Sequence, residues 1–373
     1  MSPKRILHCH STFSLGGKEA RAARLMNVFG DRASHTILSA MPDALGARDA
    51  IDAGIDVNFP GEAAPPLHGK PSPSRYRDLT RYMAQFDLVL TYNWGAMDAV
   101  GARRLFPKDC PPLIHHEDGF NADEVVRLNW KRNAFRRLML PAAHRLVVVS
   151  ERLERIAREV WKQPAGRIVR IPNGIDTALY AAPPKTDAIP GFRREEGEII
   201  VGTLAGLREV KNLPRLVRAV AKQLPHVKLV IVGEGPERGA ILAEADRLGI
   251  ADRVILPGFV AQPQHYVGLF DIFALSSDSE QFPISLVEAM AAGKPAVCTD
   301  AGDVKAIVAA ENRPFIAPTH DEDGFASALG QLVGDADLRS KLGQANELLA
   351  AATYDEATMI ARYAKLYGIP ETN

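Results

Sequence analysis

Along this chain, short apolar, β-branched runs alternate with longer stretches in which apolar residues recur every three or four positions. The first pair is RILHCH followed by KEARAARLMNVFG. FDLVLTY, LIHHED and HRLVVVS read as further buried strands. After Pro190 the rhythm restarts with EIIVGTL and the helical pattern NLPRLVRAVAKQL. KLVIVG, RVILPG, IFALSS and PAVCTD follow, with helices between them. Near-continuous apolar strands separated by helices predict parallel sheets with right-handed crossovers, hence α/β architecture. The restart predicts two such sheets. Asn173–Gly197 carries Pro183, Pro184 and Pro190 with mixed charge, the composition of a linker. The last stretch, YDEATMIARYAKLYGIP, predicts an amphipathic helix after the second sheet has closed. The expected domains are therefore 1–180 and 196–352, with 353–373 as a terminal helix.

Composition adds exclusions. The 373 residues suit two to three domains and are ordinary for a globular chain, 46% hydrophobic and 24% charged. Lysine plus arginine equals aspartate plus glutamate at 45 each, so global charge points to no nucleic acid. Cys9, Cys110 and Cys298 have no ligand-like spacing and argue for a reducing compartment. No signal-peptide core and no run of about 18 apolar residues is present. The expectation is a cytoplasmic protein, at most peripheral on the inner face of a membrane.

The chemistry concentrates in SEQFPISLVEAMAAGKPAV, Ser279 to Val297. Pro283 suits the first turn of a helix that runs through ISLVEAMAA and stops at Gly293. Glu280 then lies in the loop before the helix and Glu288 about one and a half turns inside it. The free N–H groups of Ile284, Ser285 and Leu286 would point between them. A helix start after a strand of an open parallel sheet is an anion site, usually for phosphate. A loop acid there can bond sugar hydroxyls, and an acid inside the helix can bond a ribose diol. Together these features suit a nucleotide-sugar; a merely exposed acid and a buried, bonded one are the alternative. Arg208 and Lys211, three apart after EIIVGTL, can face a leaving diphosphate. Gly16 and Gly17 follow the first strand and would let backbone amides approach a phosphate or an acceptor.

The E-x7-E pattern followed by AMAAGKPAV resembles the retaining glycosyltransferases of the GT-B fold, family 4, the glycosyl transferases group 1. GGKEARAARL, VVVSERL, IPNGID, VGTLAGLREVKNLPRLVRAVA, LVIVGEGPE and VILPGFV resemble that family's landmarks in order, over nearly the whole chain. The resemblance implies two facing Rossmann-like domains, with the acceptor on the first, the donor on the second, and the terminal helix returning to the first. It places Gly258, Phe259 and Phe282 with Ile284, Ser285, Leu286 and Glu288 around the nucleotide-sugar. It places His116 near the reacting carbon, with Glu280, Arg208 and Lys211 as the other catalytic groups and Asp118 beside the acceptor. The family usually carries an arginine five residues before the lysine; Gly206 stands there, and Arg208 is read as the substitute.

The implied reaction is hexose transfer from a nucleoside diphosphate sugar, UDP-sugar favoured, to a hydroxyl of a lipid-linked or glycan acceptor, with retention. No metal and no cofactor are expected. A sugar-nucleotide epimerase and a non-catalytic nucleotide-sugar-binding subunit are the alternatives. Asp321-Glu322-Asp323 has metal-binding spacing but reads as charge at a helix start, and GEGPERG lacks the dinucleotide fingerprint. RLNWKRNAFRRLMLPAAHRL holds Arg127, Lys131, Arg132, Arg136, Arg137 and Arg145 with Trp130, Phe135, Leu138, Met139 and Leu140 interleaved and no acid. It reads as an interfacial helix whose Arg132, Arg136 and Arg137 meet an anionic membrane surface. The competing reading pairs those arginines with acids elsewhere and buries the apolar groups.

Overall fold

The computed structural model describes residues 2–70, 72–120 and 128–370. The chain divides into two compact units, Met1–Pro172 with Met359–Asn373, and Asn173–Thr358. The boundary precedes the proline-containing segment that composition marked as a linker. Ile189 and Phe192 of that segment are buried in the second unit's core and Tyr180 packs against it, so the prolines mark turns within a packed strap.

The first unit holds seven parallel strands: β1 (Lys4–His10), β2 (Ala33–Ser39), β3 (Val57–Asn58), β4 (Leu88–Tyr92), β5 (Leu113–Glu117), β6 (Arg145–Val148) and β7 (Ile168–Arg170). Their order is β3-β2-β1-β4-β5-β6-β7. The second unit holds β8 (Ile199–Leu204), β9 (Val227–Val232), β10 (Val254–Gly258), β11 (Ile272–Leu275), β12 (Ala296–Thr299) and β13 (Ile316–Ala317), ordered β10-β9-β8-β11-β12-β13. Both are doubly wound, so each has a switch point, between β1 and β4 and between β8 and β11. Ligands of such sheets bind outside the carboxyl ends at these points.

The cores follow from strand alternation. Val227, Leu229 and Ile231 of β9 pack with Leu216, Val220, Phe325 and Leu329 on one face. Val230 and Val232 pack with Phe273, Leu286 and Met290 on the other. In the first unit, Ile6, Leu88, Leu90 and Ile114 meet the helix Gly17–Phe29 through Leu25, Met26 and Phe29. The terminal helix Glu356–Tyr367 presents Met359, Tyr363 and Tyr367, one turn apart, to this same core. Ile369 follows them in.

Candidate active site

In the second unit, the loops after β8 and β11 are stitched together at the switch point. The Val210 carbonyl accepts from Asp278 N at 2.8 Å. Ser276 Oγ donates to the Lys211 carbonyl at 3.0 Å. Asn212 Nδ2 donates to Asp278 at 3.1 Å, and Arg215, buried, holds the Ser276 carbonyl at 2.9 Å and Asp278 at 2.8 Å. These bonds bring Lys211 Nζ onto Glu280 Oε1, which also accepts from Ser277 Oγ at 2.7 Å. Gly302, after β12, closes the loop from below. Its φ is +65°, and a Cβ there would lie 2.2 Å from the Glu280 carbonyl oxygen, so only glycine fits.

The helix after this loop is Ile284–Ala291, with Pro283 at its N-cap and Gly293, φ +69°, just past its end. The Ile284 and Ser285 amides have no partner among the described residues, as expected. The Leu286 amide differs: it donates to the Pro283 carbonyl at 3.1 Å, and the Leu286 side chain is fully buried. Glu288 is half-buried, and burial raises its carboxyl above the usual range. Tyr180 donates to Glu288 Oε1 at 2.8 Å, leaving one carboxylate oxygen for another donor. Phe282 packs edge-on against Tyr354 with centroids 5.7 Å apart, and so joins the core.

A cavity of about 540 Å³ opens at the carboxyl ends of β8, β9 and β10, lined by Leu204, Ala205, Gly206, Gly233, Glu234, Phe259, Val260 and Tyr266 among others. Phe259 stands on it 75% exposed. Gly258, φ +90°, lets the Glu234 carboxylate approach, since a Cβ would meet Oε1 at 2.6 Å. Exposed Arg208 folds back over Gly206; a Cβ on Gly206 would lie 3.7 Å from Arg208 Nε. Arg208 thus reaches the space above the position it was expected to replace.

In the first unit, Gly16 caps and Gly17 opens the helix after β1, both exposed. Lys18 and Glu19 pair beside them, and burial lowers the Lys18 ammonium to about 8. Asp118, after β5, pairs with Arg21 at 2.6 Å, both largely buried, and its amide donates to Asn93 Oδ1 at 2.7 Å. His116 does not reach this edge. It is 1% exposed; its Nδ1–H donates to the Thr91 carbonyl at 3.2 Å and its Nε2 accepts from Tyr367 O–H at 2.7 Å. Nδ1 ties β5 to β4 and Nε2 ties it to the terminal helix, so both nitrogens are engaged inside the unit.

A second cavity, about 350 Å³, lies at the carboxyl end of β4, with Trp94, Asp98, Lys131, Arg132 and Phe135 in its wall. The cationic helix Trp130–Met139 forms part of it. Its arginines do not share one outward face. Arg136 is fully buried, its guanidinium 5.2 Å from Trp94, 5.5 Å from Phe120 and 5.1 Å from Trp161, with Glu117 Oε1 at 3.4 Å. Arg132 lies over Trp94 at 5.4 Å. Arg137 is exposed with Lys131, Trp130 and Leu138, while Arg127 is outside the described residues. Three aromatic faces and a buried acid hold Arg136 inward, so the expected membrane face loses it. Asp321 caps its helix through Gly324 N at 2.8 Å, and Glu322 and Asp323 pair with Arg218 and Lys222.

Ser277, Tyr180, Arg215 and Gly302 escaped the sequence reading. Ser and Arg near a strand end carry no distinguishing spacing, and Tyr180 lies 108 residues from Glu288. Gly302 in the run TDAGD was the one readable signal, a glycine three residues past the end of a strand.

Glycosyltransferase Family 4 matches residues 15–179, and Glycosyl transferases group 1 matches residues 185–348. The chain is 28% identical over 224 residues to N-acetyl-alpha-D-glucosaminyl L-malate synthase of Bacillus anthracis, covering 60% of this chain. It is 34% identical over 175 residues to D-inositol 3-phosphate glycosyltransferase of Mycobacteroides abscessus, covering 45% of this chain and 39% of that one. The chain spans about 58% of the length of the first of these relatives. Among solved structures, Anabaena Alr3699/HepE in complex with UDP superposes with TM-score 0.78 at 21% identity, covering 98% of this chain and 99% of that one. Sucrose-phosphate synthase from Thermosynechococcus elongatus follows at TM-score 0.74 and 19% identity, with 98% of each chain covered. These structural likenesses are of fold.

Proposed function

The chain belongs to glycosyltransferase family 4, with the group 1 glycosyl transferase region and the GT-B fold, and from that premise we propose that it transfers a hexose from a UDP-sugar to an acceptor hydroxyl with retention. The observation that carries this reading is the Lys211–Glu280 pair at the β8/β11 switch point, beside the two unpartnered helix amides. An ammonium and helix-start N–H groups attract a diphosphate. A carboxylate fixed by Lys211 and Ser277 accepts hydrogen bonds from hexose hydroxyls. The base enters the 540 Å³ cavity against Phe259, and the free oxygen of Glu288 takes the ribose diol. Uridine is favoured by the fold neighbour's complex with UDP.

In the reaction, the acceptor oxygen forms a bond to the anomeric carbon on the face from which the diphosphate leaves. The carbon–phosphate oxygen bond breaks with its electron pair on the diphosphate, and the acceptor's proton passes to that departing oxygen. Arg208, Lys211 and the Ile284 and Ser285 amides stabilise the developing negative charge. These groups supply the charge a metal would, and the reading is of a metal-independent enzyme. The acceptor, a glycan or a lipid-linked sugar, occupies the cavity at β4, where Trp94 and Phe135 offer aromatic faces and Asp98, Asn129 and Lys131 offer polar ones. Among the described residues no helix is long and apolar enough to cross a membrane.

The test incubates the protein with UDP-glucose, UDP-galactose or UDP-N-acetylglucosamine and pooled glycan acceptors, with and without a chelator. Release of UDP coupled to an α-linked product, unaffected by chelator, is expected. Interconversion of the sugar on UDP without acceptor would identify an epimerase, and binding without turnover a non-catalytic subunit.

A further inference from the structure

At the amino end of the first sheet, opposite the edge just described, a hollow of about 400 Å³ is lined by Arg103, Arg104, His144, Arg145 and Arg167 with prolines and alanines between them. Arg145 opens β6, Arg167 directly precedes β7, and Cys110 to Pro112 lead into β5. These three strands are parallel neighbours, so their starts gather at one place. β6 is four residues long, roughly 13 Å at the usual rise per residue, and that span separates this hollow from the carboxyl edge.

The four arginines have no carboxylate partner among the described residues. Their hydrogen bonds go to carbonyls alone. Arg103 Nε donates to Ala142 O at 2.9 Å, and its Nη1 donates to Cys110 O at 2.9 Å and to Pro111 O. Arg167 Nη1 donates to Pro141 O at 2.5 Å, and Arg145 Nη1 to His144 O at 3.0 Å. Arg104 makes no such bond. Seven arginines elsewhere, Arg5, Arg75, Arg170, Arg194, Arg215, Arg218 and Arg247, each meet an aspartate or glutamate, while Arg32, Arg253 and Arg339 bond carbonyls singly, away from any such cluster. In a chain of zero net charge, four unpaired guanidinium groups around one hollow are a local excess that solvent alone offsets. His144 registers it: burial, then Arg145, Arg103 and Arg167, hold its imidazole below the ordinary value.

Capping accounts for part of the set. Arg103 and Arg167 close carbonyls left open where the helix Trp130–Met139 ends and the chain turns into β6. Arg104 and Arg145 close none that a fold requires. Guanidinium groups match phosphate oxygens in a planar, two-pronged geometry, and the volume exceeds that of a bare phosphate. We propose that this hollow is a second ligand site, which takes a phosphate group carried by a small molecule or a lipid head. Its place at the amino end of the first sheet, across that sheet from the cavity at β4, makes it an effector or anchoring site.

The test uses Arg104→Glu/Arg145→Glu, which spares the carbonyl bonds of Arg103 and Arg167. Calorimetry with inorganic pyrophosphate is run in a Lys211→Ala background, which weakens the donor site's own diphosphate binding. Sedimentation with phosphatidylcholine vesicles, with and without phosphatidic acid, is run in parallel. Circular dichroism melting verifies that each variant is folded. Pyrophosphate affinity should fall roughly tenfold or more in the double variant, the worth of one charge-assisted bond, and should weaken with salt. Pelleting that needs phosphatidic acid and is lost in the variant assigns the phosphate to a lipid. Pyrophosphate binding without pelleting assigns it to a soluble ligand. Pyrophosphate affinity and pelleting equal in variant and parent, or neither probe binding the parent, overturn the proposal.

Discussion

Glu280 sits where three local constraints meet: Lys211 on one side, Ser277 on another, and Gly302 beneath its backbone. A charge so held does not need to reorganise when a hexose arrives, which is the condition for strengthening a bond in the transition state. Glu280→Gln should therefore lower kcat by about 10²–10³ while donor KM stays near its original value. Steady-state kinetics with the cognate UDP-sugar reads both, and an unchanged kcat removes Glu280 from the chemistry. Gly302→Ala tests the support rather than the group. The added Cβ cannot coexist with a carbonyl oxygen 2.2 Å away, so the loop bearing Glu280 must move. Turnover should fall with little change in melting temperature, because the shift is confined to a surface loop; full activity in the variant would contradict that placement. Lys211 and Glu280, each singled out in the sequence as a charge near a strand's end, are brought into contact by the loops after β8 and β11. The sequence did not show that β5, though rich in polar letters, is buried at every position, with His116 bonded to Thr91 of β4 and to Tyr367 of the terminal helix.

At the scale of elements, the apolar runs located most of the longer strands, including β1 and β5 despite their histidines, and lost the short ones and β2. β3 and β13 have two residues each and β7 three, too short for any period to register. β2 was hidden by its serines, histidine and threonine. The terminal helix was legible through Met359, Tyr363 and Tyr367 at successive turns. The helix Trp130–Met139 shows the limit of composition: its arginines and aromatics look interfacial, but three rings and Glu117 draw Arg136 inside. Arg136→Ala leaves the Glu117 carboxylate buried without that partner and should cost roughly 3–5 kcal/mol. Exposed Arg137→Ala should stay within about 0.5 kcal/mol. Urea denaturation of both variants decides; equal effects would mean that Arg136 is no more a part of the core than Arg137.

For the molecule as a whole, the first unit carries buried histidines, while none of the second unit's histidines is buried. His8, His10, His35 and His116 are all buried, and burial lowers each imidazole, His35 to about 4. Below pH 6.5 an unfolded chain binds protons at these sites that the folded unit does not, so stability falls as pH drops from there toward the folded values. The loss is up to about 1.4 kcal/mol per pH unit for each imidazole. Trp94, Trp130 and Trp161 are the chain's three tryptophans and all lie in this unit. Their fluorescence in urea should therefore show a midpoint that drops steeply between pH 7 and pH 5, and a flat midpoint would contradict the burial of these rings. The proposed function requires the second unit to hold a nucleoside diphosphate at its switch point. Calorimetric titration of UDP into the parent protein and into Lys211→Ala tests it most directly. The account predicts saturable binding of UDP by the parent, weakened in the variant by about 1.5–3 kcal/mol, the worth of a hydrogen bond to a charged group. No binding of UDP by the parent, or equal affinity in the two proteins, would contradict it.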